Sequence, residues 1–240
     1  MVSRLLAAAP NWVTVESHEQ SKARITASPP RTSGRSTRLY TLSIAATSGG
    51  QLNVREASAS PLLPKFCPQR HMNDDGTFCL GLHAEQTLAK KDGANAWWRK
   101  LHVFLTCQDT ASETRLWPPK IEISHGKAGE TEILAENLAE TLEMLDEYQL
   151  AVREDRGPIA EAVKRIHKST GRLINGRAAC VCNRRYKTGE LKLRRQCWRT
   201  NERCLPILEQ GRRTEEKNYW NSLKGKQPCC GTMDDCPLKS

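Results

Sequence analysis

Aromatic residues are scarce in this 240-residue chain: three Phe, four Tyr and six Trp amount to 5%. With 38% hydrophobic residues in all, any core must be lean and mostly aliphatic. Long apolar runs are missing as well. Mean hydropathy is −0.62, and no stretch approaches the roughly 18 apolar residues that mark a membrane helix. The Arg4-Leu5-Leu6-Ala7-Ala8-Ala9 run is too short for the apolar core of a secretory signal. These absences predict a cytoplasmic protein with no membrane partner. The chain also lacks an internal repeat, a low-complexity tract and a Gly-rich adenylate-binding loop.

Cysteine, by contrast, is plentiful. Ten cysteines in a reducing cytosol are not expected to form a disulfide framework. Catalysis, metal binding and packing remain as their uses. Seven of the ten lie beyond residue 150, and the charge shifts there too. Residues 1–150 hold 16 of the 37 Lys/Arg and 17 of the 27 Asp/Glu, leaving 21 and 10 for residues 151–240. This double shift predicts two domains, 1–150 and a basic, cysteine-rich 151–240.

Hydrophobic periodicity sketches the elements. Trp12 to Val15 reads as a short strand. Tyr40, Leu42 and Ile44 alternate with polar residues, Gly49-Gly50 makes a turn, and Leu52 and Val54 continue, so 38–58 reads as a hairpin. Pro61, Pro64 and Pro68 exclude regular structure and predict an extended approach to His71. Trp97, Leu101, Phe104 or Leu105, and Gln108 follow helical spacing, with an expected end near Ala111. Residues 130–150 predict one helix with Leu134, Leu138, Leu142 and Leu145 on its buried face. Pro158 is suited to open another helix, with Ile159, Val163 and Ile166 inward. A polar helix is expected around Thr214 to Leu223.

The most informative stretch is His71-Met72-Asn73, followed by Asp74-Asp75-Gly76 and Phe78-Cys79-Leu80-Gly81. It sets a cysteine on a turn-rich loop six positions after an asparagine. A cysteine can take up an acyl group as a thioester. An asparagine amide can donate to the oxyanion that forms when that thioester is attacked. Asp74 and Asp75 read either as groups that orient an incoming amine or as solvated turn residues. Cys67 reads as packing and Cys107 as helix core, and His83, His102 and His125 as structural.

This stretch resembles the active-site segment of ubiquitin-conjugating enzymes, where a His-Pro-Asn tripeptide precedes the catalytic cysteine. Met72 stands in the place of the proline, the Asn73-to-Cys79 gap is slightly short, and Gly81 replaces a common aspartate. The departures fit a divergent bacterial branch, although the usual long amphipathic first helix is not evident. The whole chain, including Cys229-Cys230-Gly231-Thr232-Met233 and Cys236-Pro237-Leu238, resembles bacterial conjugating-domain-associated cysteine-rich proteins. Those proteins are linked with cyclic-oligonucleotide antiphage signalling (CBASS). The resemblance implies an α+β ubiquitin-conjugating-like fold, an antiparallel sheet with flanking helices, followed by a small, mainly helical cysteine-rich domain. It implies Cys79 as nucleophile, Asn73 as oxyanion donor and His71 as loop support. It also implies a cGAS/DncV-like nucleotidyltransferase as the protein carried; because the chain has no adenylate-binding loop, activation is expected from a partner, such as a separate activating enzyme, or by an unusual route, with no catalytic cofactor.

For the second domain, Cys180, Cys182, Cys197, Cys204, Cys229, Cys230 and Cys236 are candidate ligands of a structural zinc. A small domain with few large apolar groups gains much from a metal staple. The spacing contains no clean pair of C-x-x-C knuckles, and inert packing or redox chemistry are the alternatives. Arg184-Arg185, Arg194-Arg195 and Arg212-Arg213 would carry any nucleic-acid binding, but basic charge without a recognised motif is a weak signal. The competing functions are therefore a non-catalytic scaffold and a zinc-stabilised nucleic-acid-binding protein.

Overall fold

The computed structural model describes residues 1–30, 38–49, 51–81, 92–118, 121, 124–167, 170–171, 176–182, 190, 193–196 and 204–239. They form two compact units. The first comprises Met1–Pro118 and Gln227–Ser240, and the second Pro119–Lys226. The class is α+β, with one four-stranded antiparallel sheet and several helices.

In the first unit, β1 (Val13–His18), β2 (Lys22–Ala27), β3 (Tyr40–Ala46) and β4 (Leu52–Glu56) form a sheet in sequential order. Alternation decides which face is buried. Tyr40, Leu42 and Ile44 point inward from β3, opposite Ala27, Ile25 and Ala23 of β2. The predicted hairpin is the β3–β4 pair, registered Ile44 to Val54. The edge strand β1 is almost wholly exposed and carries an irregularity between Val15 and Ser17. Such breaks blunt an edge against further pairing.

Two helices cover the inner face. The five-residue α1 (Val2–Leu6) buries Val2 and Leu5, and Trp98 Nε1 donates to Leu5 O at 2.9 Å. The long α2 (Gly93–Thr114) buries Trp97, Trp98, Leu101, Phe104, Leu105 and Cys107 in the same core as the sheet. It runs three residues past the expected end at Ala111. Met233 and Cys236, from the end of the chain, complete that core.

The second unit is helical: α3 (Lys127–Thr141), α4 (Leu145–Glu154), α5 (Gly157–Val163) and α6 (Leu205–Leu223). The single helix predicted over 130–150 is two, parted where Glu143 takes φ +56°. Leu138, Leu142 and Leu145 pack against the core as expected, but Leu134 does not. Leu134 is 62% exposed, while Ala128, Ala135 and Ala139 are fully buried. Small side chains let α6 approach closely, and a Cβ at Gly211 would stand 3.9 Å from Thr131 Cγ2. Pro158 does sit in the first turn of α5, with Ile159 fully buried. α6 begins nine residues before the predicted Thr214 start.

The charge-based boundary at 150 falls inside α4. The compact units divide at 118/119 instead, and residues 227–240 return to the first unit. Charge follows solvent exposure, whereas a unit is defined by shared buried surface, so the two need not change at the same residue.

Candidate functional site

Cys67 is extended at φ −162°, and Pro68 to Arg70 then make one 3-10 turn. Pro68 suits the first position of that turn because no N–H is needed there. The turn is fastened to α2 by a reciprocal clamp. Arg70 Nε donates to Gln108 Oε1 at 2.8 Å, and Gln108 Nε2 donates back to Arg70 O at 2.6 Å. Arg70 Nη2 also donates to Gln108 O and to Ser112 Oγ. All of this is buried or half-buried, so the guanidinium is satisfied where it would otherwise be costly.

His71 closes the turn in the left-handed region, at φ +53°. Its ring is buried against Trp117, with centroids 5.1 Å apart. From there residues 71–79 fold into a small hairpin. Cys79 N donates to His71 O at 2.8 Å, Met72 bridges Phe78, and Asn73 N donates to Thr77 O at 2.9 Å. The outgoing arm extends the sheet, because Phe78 N donates to Val54 O and Thr77 bridges Arg55 of β4. Met72 and Phe78 anchor the buried face, with Phe78 stacked on Phe104 of α2 at 4.7 Å.

Strand alternation then places Asn73, Thr77 and Cys79 on the opposite face. The Asn73 Nδ2 bond to Thr77 Oγ1, 2.9 Å, shows the first pair meeting there. Cys79 is the diagonal neighbour of Asn73, a relation of about 7–8 Å between backbones. Asn73 is exposed and Cys79 half-buried. One amide N–H of Asn73 is used by Thr77, which leaves the second to donate elsewhere.

Asp75 belongs to the turn. Its Oδ1 accepts from Thr77 N at 2.9 Å and from Thr77 Oγ1 at 2.6 Å. These hydrogen bonds hold its carboxyl below the usual carboxylate range. Asp74 is exposed beside it. Gly76 supplies the φ of +79° that the turn requires.

Sequence reading named Cys79, Asn73 and His71 and gave no site role to Arg70, Gln108, Ser112 or Trp117, which the structure brings against the same turn. The only local sign of Gln108 is a polar residue on the buried side of a helix. Cys107 is core as expected, its thiol pushed up to about 11 by burial. His102 Nε2 lies 3.1 Å from Pro30 O, and His125 pairs with Glu216 at 2.7 Å. His83 lies outside the described residues.

The seven cysteines proposed as zinc ligands are divided. Cys229, Cys230 and Cys236 belong to the first unit and Cys180, Cys182 and Cys204 to the second, while Cys197 lies outside the described residues. Cys180 and Cys182 Sγ are 2.9 Å apart. Among the described residues, no three His, Cys, Asp or Glu side chains are grouped to hold a metal ion. The shift in charge and cysteine content predicts one second domain for all seven, but burial of Met233 and Cys236 draws the tail to the first unit.

The candidate arginines also divide. Arg212 is buried against Glu209 at 2.7 Å, and Arg213 binds both Glu209 and Asp155. Arg184 and Arg185 lie outside the described residues, leaving Arg194 and the exposed Arg195. No helix among the described residues is long and apolar enough to cross a membrane.

Two family models match the chain. Residues 12–119 match one described as prokaryotic E2 domain, and residues 124–238 one described as cysteine-rich domain, C-terminal to E2 domain. Together they name an E2-like domain followed by a cysteine-rich one, consistent with a bacterial E2-like protein. No curated protein and no solved structure matches.

Proposed function

We propose that the chain is a ubiquitin-conjugating-like acyl transferase with Cys79 as its nucleophile. The observation that carries this reading is the hairpin at residues 71–79, which sets a half-buried cysteine diagonal to an exposed asparagine amide. The match of residues 12–119 to a prokaryotic E2 domain supports a conjugating transferase of this class.

The Cys79 thiolate attacks an activated C-terminal carboxyl and displaces its activating group, leaving a thioester. A substrate lysine amine then attacks the thioester carbon. The tetrahedral oxyanion takes a hydrogen bond from Asn73 Nδ2, the attached amine gives its proton to water, and the intermediate expels the Cys79 thiolate to leave an amide. His71 O holds the Cys79 backbone, and the Arg70–Gln108 clamp holds the turn beneath it. Asp74 is placed to attract an incoming ammonium, since Asp75 is already engaged by Thr77. From the family resemblance, the carried protein is a cGAS/DncV-like nucleotidyltransferase of an antiphage signalling system, activated by a separate enzyme.

The test is intact mass after co-expression with a candidate donor. Wild type should carry a protein-sized adduct that thiols release, Cys79→Ser a thiol-resistant ester adduct, and Cys79→Ala none. An adduct that survives in Cys79→Ala, or its absence from both wild type and Cys79→Ser, would sink the assignment.

A further inference from the structure

The tail that returns to the first unit brings a second sulfur chemistry with it. Cys230 Sγ lies 2.8 Å from Cys67 Sγ, across 163 residues of sequence. Cys67 exchanges two backbone hydrogen bonds with Met72, so its partner touches the base of the Cys79 hairpin. The tail is held there by other contacts. Arg115 Nε donates to Asp234 Oδ1 at 2.6 Å, Arg115 Nη2 to Gly231 O, and Gln69 Nε2 to Asp235 Oδ1.

A shared zinc and a disulfide would ask opposite movements of this pair. Sulfurs bound to one tetrahedral zinc at about 2.3 Å stand roughly 3.8 Å from each other, so the two would have to separate by about 1 Å. A disulfide, at about 2.05 Å, needs a closure of under about 1 Å.

We propose that Cys67 and Cys230 form a redox-modification site, in which Cys230 reacts with hydroperoxides and Cys67 closes the disulfide. Burial decides the roles. Cys67 is only 1% exposed, while Cys230 is half-buried and open to a small oxidant. Cys67 Sγ and Thr232 Oγ1 both lie within contact of Cys230 Sγ, at 2.8 and 3.0 Å. A partly exposed cysteine with a second sulfur at contact distance is the setting of a redox-sensitive pair.

The chemistry balances in two steps. Cys230 thiolate attacks one oxygen of a hydroperoxide, giving the sulfenic acid and releasing hydroxide or alkoxide. Cys67 sulfur then attacks Cys230 sulfur, and the departing hydroxide leaves with the Cys67 proton as water. Two thiols are oxidised and one hydroperoxide is reduced. The product fastens the tail covalently to the segment that leads into the Cys79 hairpin. This inference does not depend on thioester transfer.

The test uses the full chain, reduced, desalted and exposed to hydrogen peroxide, with non-reducing peptide mapping by mass spectrometry. The expected product is a Cys67–Cys230 linked peptide, lost on adding dithiothreitol and still formed in a Cys79→Ser protein. Cys67→Ser should leave a sulfenic acid on Cys230 that dimedone traps. Because Cys67 is buried, Cys67→Ala serves as a second variant, each checked for a native melting transition. Cys230 linked to Cys229 or Cys236 instead, unchanged thiols at both positions, or zinc held by Cys67 and Cys230 in the reduced protein would overturn the proposal.

Discussion

At the scale of single residues, Asn73 and Thr77 separate two explanations of the loop. If Asn73 stabilises an oxyanion, Asn73→Ala should lower the rate of amide formation by about 10²–10³, the usual loss for one such donor. It should leave loading of Cys79 nearly unchanged. Thr77→Val removes the acceptor that holds the Asn73 amide but keeps the amide itself, so it should cost far less. Single-turnover transfer from preloaded protein measures both, and equal losses would make Asn73 only a loop residue. The spacing of Asn73 and Cys79 was legible in the sequence because both lie within nine residues of one hairpin. The engagement of Asp75 was half legible: a carboxylate two residues before a threonine suggests a turn, but only the fold showed both Thr77 donors reaching it.

At the scale of elements, α3 shows how a correct periodicity can still misplace one residue, for Leu138 and Leu142 do pack against the core. Leucine spacing pointed to Leu134, yet the neighbouring Ala135 is buried. What decides is the distance to α6, which is short enough to favour alanine. Ala139→Leu should therefore destabilise the second unit by about 1–3 kcal/mol through overpacking. Leu134→Ala should change stability by no more than about 0.5 kcal/mol. Urea titration of each variant checks the contrast, and similar costs for the two would contradict the packing described. β2 escaped sequence reading for a related reason: two of its three inward residues are alanine, a weak strand former. The His125–Glu216 pair joins the start of α3 to α6. Burial alone would raise the Glu216 carboxyl, but hydrogen bonds from His125 and Trp220 leave it below its ordinary value of 4.5. A depressed carboxyl contributes stability above that value and loses it as pH falls through the folded-state pKa. Glu216→Gln should thus flatten the fall in melting temperature below about pH 4.5, and parallel curves for the two proteins would count against the pairing.

At the scale of the whole molecule, the tail decides the domain organisation. Met233 is fully buried in the core formed by the sheet and α2, although it lies within the segment matching the cysteine-rich domain. Met233→Ala should cost about 2–5 kcal/mol, as for other buried methionines. Hydrogen exchange should show lost protection in β3 and α2 and unchanged protection in α3–α6; the reverse pattern would assign the tail to the second unit. Local sequence pattern suffices for the β3–β4 hairpin, the helix that holds Trp97 and the cysteine loop. Each rests on periodicity or turn chemistry confined to a few neighbouring residues. Only the tertiary structure decided that the units part at 118/119, that Gln108 clamps Arg70, and that Cys230 meets Cys67. Those outcomes depend on which distant surfaces bury one another, and no local pattern in the chain records that choice.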